Sequence, residues 1–106
     1  MEATKDHISL ETAKLLKGKV HNQPISCFFK SIKWDKYEFV KYDWWDYWYD
    51  DLYDLPAYTW QEILWEYPYK FGSIQICERI LLLLRIKEYK EADEFFRRNS
   101  ILINNL

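Results

Sequence analysis

Between residues 42 and 67, 11 of 26 positions are aromatic, and from 42 to 66 the chain carries seven acids with no Lys or Arg. Rings are economical core material, because each one buries roughly 150–250 Å². A chain of 106 residues nevertheless builds a single core, burying about two-thirds of its unfolded surface. Trp44, Trp45, Tyr47, Trp48 and Tyr49 are consecutive or nearly so, and successive side chains of an extended chain point to opposite faces. Two outcomes are open. Either other elements cover both faces of this segment, or about half of its rings face outward and meet another molecule.

The charge pattern sharpens the question. Residues 1–41 hold eight Lys against five acids, and residues 67–106 hold seven bases against five acids, so an acidic middle sits between mildly basic flanks at a net charge of −2. That balance argues against general nucleic-acid binding, which needs a basic face to displace counterions from phosphates.

Local signals outline an α+β domain spanning residues 1–106. SLETAKLLKG (9–18) predicts a short helix with Ser9 as N-cap, Leu10, Ala13 and Leu16 along one side, and Gly18 as its stop. After Pro24 the pattern turns to β-branched and aromatic residues. An antiparallel pair is expected at roughly 25–34 and 37–45, joined by a turn at Trp34-Asp35-Lys36. A helix over 43–54 would align Asp43, Asp46, Asp50 and Asp54, whose like charges repel at that spacing. A third strand to about Tyr49 followed by an acidic loop, DDLYDLP, is therefore the expectation. Thr59-Trp60-Gln61-Glu62 fits a capping box opening a helix over 58–67, with Tyr58 and Ile63 at the positions of a hydrophobic staple and Pro68 at its end. Ser73 can cap a helix from 74 to 87. Ile76, Ile80, Leu83 and Leu84 stack there, and Leu81 and Leu82 widen the stripe until the helix looks like the centre of the core. A turn within KEYKE and a final helix ending near Arg98 complete the fold: an N-terminal helix, a small antiparallel sheet of two to three strands, and three C-terminal helices.

Two resemblances follow from quoted residues. ISLETAKLLK, followed downstream by LPAYTWQEILW, resembles a group of small accessory proteins encoded by Bacteroidota genomes, their prophages and phages, for which no catalytic or binding residues are established. The resemblance implies a mobile-element origin and a product that acts by binding host proteins. LLLLRIKEYKEADEFFRR looks like one αα-hairpin of the tetratricopeptide type, with Tyr89 and Ala92 at the helix-entry positions. A single copy cannot form a solenoid, so it implies a helix pair only.

Catalysis finds little support. His7 and His21 lie in no recognisable motif, and His7 sits in a terminus expected to fray. Cys27 with His21 is a conceivable nucleophile pair, but the two are as easily unrelated. Cys27 and Cys77 lie in apolar settings and are expected to be reduced core thiols. None of the short spacings of zinc sites occurs among His7, His21, Cys27 and Cys77. The aspartates lack the central Gly of a calcium loop, and Gly18 and Gly72 are too isolated to cradle phosphate. No catalytic residue, metal or other cofactor is expected. The MEATKDHISL opening has no apolar signal core, and the ILLLL run at 80–84 is too short to span a bilayer, so a cytoplasmic protein without membrane contact is the expectation.

The preferred functional expectation is a non-enzymatic accessory protein that binds, and thereby inhibits, a host protein through Asp43, Trp44, Trp45, Asp46, Trp48, Tyr49, Asp50, Asp51 and Asp54. Rings would anchor the contact and carboxylates would steer it toward a basic groove, in the manner of a nucleic-acid mimic. The alternative is direct nucleic-acid binding through Lys30, Lys33, Lys36 and Lys41, with Trp34 or Tyr37 as stacking platforms.

Overall fold

The computed structural model describes residues 1–17, 19, 27–41, 49, 50, 52–66 and 74–100. In chain order they form α1 (Leu10–Leu16), β1 (Cys27–Lys33), β2 (Lys36–Lys41), β3 (Leu55–Pro56), α2 (Trp60–Glu66), α3 (Ile74–Arg85) and α4 (Tyr89–Asn99). This is the expected α+β architecture of one N-terminal helix, a three-stranded antiparallel sheet and three later helices.

β1 is the middle strand, in the order β2-β1-β3. The hairpin to β2 turns at Trp34 and Asp35, with Lys33 opposite Lys36, and Asp35 adopts φ 57°, a left-handed conformation that Asp tolerates better than most residues. The strand expected to run on to about Tyr49 falls on residues 42–48, which lie outside the described residues, and the third strand of the described sheet is another segment. It is Leu55–Pro56, from the stretch expected to be loop, pairing with Phe29 and Phe28. Pro56 fits there because β3 lies at the sheet edge, where a missing N–H leaves no ladder bond unmade.

Strand alternation gives the sheet two buried faces. Phe29 and Cys27 enter the main core with Ile8, Leu16, Trp60 and Phe96, and Phe39 packs against that cluster. Phe28 and Val40 point the other way and are buried as well, at 0% and 6% exposure. Tyr49 contributes to that second cover, meeting Phe28 edge-on with centroids 5.6 Å apart.

The N-terminal segment does not fray. The Ile8 amide donates to the Tyr58 carbonyl and the Trp60 amide to the Asp6 carbonyl, so residues 6–8 run as a short bridge beside 58–60. The Trp60 indole N–H donates to the Thr4 carbonyl at 2.8 Å. His7, expected in a loose end, is buried and stacks on Phe39 at 4.2 Å, its Nδ1 2.8 Å from the Ile8 carbonyl.

The capping box opens α2 as expected. Thr59 Oγ1 accepts from the Glu62 amide and Glu62 Oε1 accepts from the Thr59 amide, both at 3.1 Å. Tyr58 and Ile63 are both buried in the main core, as a staple requires. Pro68, Gly18 and Ser73, expected at helix ends, lie outside the described residues.

α3 corrects one expectation. It buries Ile80 and Leu83, but Leu81 and Leu82 remain 46% and 44% exposed, so α3 is an outer helix rather than the centre of the core. Apolar residues on most sides of a helix do not choose the packed side; the neighbours do. α4 packs against α3 as a hairpin and buries Ala92, Asp93 and Phe96. The joint is a Schellman motif: the Glu88 amide donates to the Leu83 carbonyl and the Lys87 amide to the Leu84 carbonyl. Lys87 holds the position normally given to Gly, at φ 64°. Lys87→Gly removes the side-chain clash of that conformation and is expected to raise unfolding stability by ~1 kcal/mol, a rise in thermal midpoint of several degrees in a melt followed by circular dichroism.

Candidate protein-docking turn

Of the residues expected to touch a partner, Tyr49, Asp50 and Asp54 are described, whereas Asp43, Trp44, Trp45, Asp46, Trp48 and Asp51 lie outside the described residues. The described part is a closed turn. The Tyr53 and Asp54 amides both donate to the Asp50 carbonyl, at 3.2 and 2.8 Å, while the Asp50 amide donates back to the Asp54 carboxylate at 2.8 Å. Asp50 Oδ1 accepts from the Leu52 amide at 2.9 Å, the side-chain turn for which Asp is suited.

Asp54 is the hub of this turn and is 1% exposed. It was expected on a solvated acidic rim, and its burial removes it from any contact surface. Its Oδ1 accepts from the Ser31 amide at 2.8 Å, beside the point where the β1–β2 register shifts between Ser31 and Lys33. Backbone pairing between β1 and β3 covers only Phe28 and Phe29, so the Asp54 carboxylate takes over the bonding of the β1 edge where β3 ends. Lys30 Nζ lies 3.9 Å from the same carboxylate, and Lys17 Nζ donates to the Asp54 carbonyl. Lys17 also sits 5.7 Å from the Tyr49 ring centroid. The segment has no cation of its own in sequence, yet α1 and β1 each bring one to it.

The turn pushes two large side chains into solvent. Leu52 is 79% exposed and Tyr53 65%, and Asp50 is exposed between the half-buried Tyr49 and that tip. Alternation in an extended segment does not find this pair, because the i to i+4 turn at Asp50 breaks it. The signal available in sequence was the Asp50/Asp54 spacing, which suits a side-chain-closed turn as well as a helix face.

Elsewhere the chemistry is closed on itself. Cys27 Sγ donates to the Ala57 carbonyl at 3.1 Å, and burial, then the Glu62 charge, pushes its thiol from 9.0 up to about 11. Cys77, half-buried, is raised in the same direction by burial and then by Glu78. Both cysteines are free, and burial favours the neutral thiol in each, most strongly at Cys27, so little thiolate forms at neutral pH. In the native protein at pH 8, a disulfide reagent is expected to label Cys77 and leave Cys27 unlabelled until denaturant is added. The Cys27 contribution to stability is fully present below pH 9.0 and is lost as pH rises through about 11. A Cys27→Ala variant is therefore expected to have a shallower alkaline decline in its melts.

A second buried polar cluster joins α4 to the start of α1. Asp93 accepts from the Ser9 amide (3.0 Å), the Ser9 hydroxyl (2.6 Å) and the Thr12 hydroxyl (2.9 Å), and Arg97 lies 3.7 Å from it. Ser9 in turn caps α1 by accepting from the Thr12 amide. A cleft of about 350 Å³ beside this cluster is lined by both signs of charge, including Glu11, Lys14, Lys90 and Arg97. Among the described residues no three His, Cys, Asp or Glu side chains are placed to hold a metal ion, and no helix is long and apolar enough to cross a membrane. No protein-family profile, curated protein or solved structure matches this chain.

Proposed function

We propose that this chain is a non-enzymatic accessory protein that docks on a host protein through the tip of the 49–54 turn and the acidic, aromatic residues that precede it. The observation that carries this reading is the exposure of Leu52 and Tyr53, at 79% and 65%, on a turn whose base is fixed by the buried Asp54. Large apolar side chains on a preorganised loop lose little conformational freedom on binding, which is how a small contact reaches useful affinity. With Asp54 buried, the other four aspartates of the segment, Asp43, Asp46, Asp50 and Asp51, bias the partner toward a basic groove. A nucleic-acid-binding host protein, blocked by an acidic mimic, has that chemistry. The mobile-element origin rests on the resemblance of ISLETAKLLK and LPAYTWQEILW alone.

The experiment is crosslinked capture from host lysate with the wild type and with Leu52→Ala/Tyr53→Ala, both positions being too exposed for the change to unfold the chain. The expected result is a specific partner whose recovery falls at least ~10-fold in the variant at an unchanged melting midpoint, as for loss of interface anchors. Duplex DNA is expected to compete for that partner. Undiminished recovery removes the turn from the interface.

One observation favours a second reading. Trp34 is 97% exposed at the hairpin tip, between the exposed Lys33 and Lys36, an arrangement suited to stacking on a single-stranded base. The broader lysine face does not assemble, since Lys30 is drawn to Asp54 and Phe28, and Tyr37 is half-buried with Lys14 5.6 Å from its ring centroid. Salt-dependent binding of a single-stranded oligonucleotide that is lost in Trp34→Ala supports this reading over the first.

A further inference from the structure

We infer that the outward face of α3 pairs with the same face of a second copy of this chain, antiparallel, about a two-fold axis through the Leu81–Leu82 peptide. The face belongs to a different element from the docking turn and does not depend on that reading. At 100° per residue, Glu78, Leu81, Leu82 and Arg85 cluster on the side of α3 away from the buried Ile80 and Leu83. Leu81 and Leu82 are 46% and 44% exposed, and Ile74 and Ile86 at the two ends are 61% and 56% exposed. An apolar stripe of this kind on a helix is covered by something.

The charges say what covers it. Glu78 lies three residues before Leu81 and Arg85 three residues after Leu82, so the stripe reads the same from either end except that the sign of charge inverts. An antiparallel two-fold stacks Leu81 on Leu81 and Leu82 on Leu82 of the second copy at the centre. It sets Glu78 opposite Arg85 of the second copy, and Arg85 opposite its Glu78. Within one helix these two charges are about 10 Å apart along the axis, too far to satisfy each other. A parallel, in-register pairing would set Glu78 against Glu78 and Arg85 against Arg85, so the sequence selects one orientation. The seam is short, since a helix of 12 residues is about 18 Å long. It falls below the ~1,200 Å² of a standard stable interface, so the dimer is weak and concentration-dependent.

Sedimentation equilibrium of the full chain over about a hundredfold concentration range tests this. The mass is expected to rise from 13.2 kDa toward twice that value. Glu78→Arg and Arg85→Glu, each alone, place like charges opposite one another and are expected to hold the chain at the monomer mass. The double variant restores opposite pairing and is expected to recover the wild-type association. Both positions are exposed, and circular dichroism verifies that each variant is folded. A wild type that stays monomeric throughout overturns the proposal and passes this face to another occupant, residues 101–106 or a different protein. Association that survives either single reversal, or fails to return in the double variant, overturns it equally.

Discussion

Asp93→Ala is expected to destabilise the fold by about 3 kcal/mol, lowering the thermal midpoint by roughly 10–20 °C. The side chain is 3% exposed and accepts from the Ser9 amide and from the Ser9 and Thr12 hydroxyls. Truncation leaves the Ser9 amide without its acceptor at the buried start of α1, where the first-turn N–H groups have no intrahelical partners. It also leaves the Arg97 guanidinium beside a void, held then by Glu11 at 2.7 Å. Asp93→Asn separates the roles of hydrogen bonding and charge. The remaining carbonyl still accepts from the Ser9 amide, and the new NH₂ meets two hydroxyls, which rotate to accept because a hydroxyl is both donor and acceptor. The Asn variant is accordingly expected to cost only ~1 kcal/mol, mainly through the lost attraction to Arg97. Paired chemical-denaturation curves check both values. An Asn variant as unstable as the Ala variant would show that charge, not bond geometry, holds α4 to α1.

How much of this was legible in sequence depends on how far apart the interacting residues lie. Thr59 and Glu62, or Ser9 and Thr12, are three positions apart, and local chemistry alone predicts their caps. The second partner of Ser9 is Asp93, 84 residues away, and nothing in DEFFRR distinguishes a buried aspartate from the solvated acids around it. The same limit hid His7, which is ordered only because residues 58–60 run beside it. It also hid the outward face of α3, since Leu81 and Leu82 are as apolar as Leu83 and only the packed neighbours separate them. For the docking turn, residue types announced the segment and not its geometry. Aromatic and acidic crowding flagged 43–54 as unusual, while the assignment of Asp54 to the inside and of Leu52 and Tyr53 to the outside came from hydrogen bonds to Ser31 and Asp50. The counter-charges were likewise non-local, with Lys17 and Lys30 arriving from α1 and β1.

Asp54→Asn is expected to cost nearly as much as Asp54→Ala, about 2–4 kcal/mol for either, in contrast to the tolerance expected at position 93. The two carboxylate oxygens of Asp54 face backbone amides, Ser31 on one side and Asp50 on the other, each at 2.8 Å. An amide N–H cannot turn round to accept. Whichever way an Asn side chain is flipped, its NH₂ meets one of these donors head-on, and one of the two part-buried N–H groups loses its acceptor. The consequences begin locally. With Asp54 altered, the Asp50 amide loses the bond that closes the turn, and the end of β1 loses the bond that replaces its missing strand partner. Hydrogen exchange of the Ser31 and Asp50 amides is therefore expected to accelerate at least ~10-fold in the Asn variant, ahead of exchange in α2 and α4. Because Leu52 and Tyr53 hang from this turn, the variant is also expected to lose partner capture under conditions where it is still folded, linking one buried carboxylate to the exposure of two apolar side chains. Retained capture with a loosened turn would mean that binding draws on residues 43–48 and not on the tip.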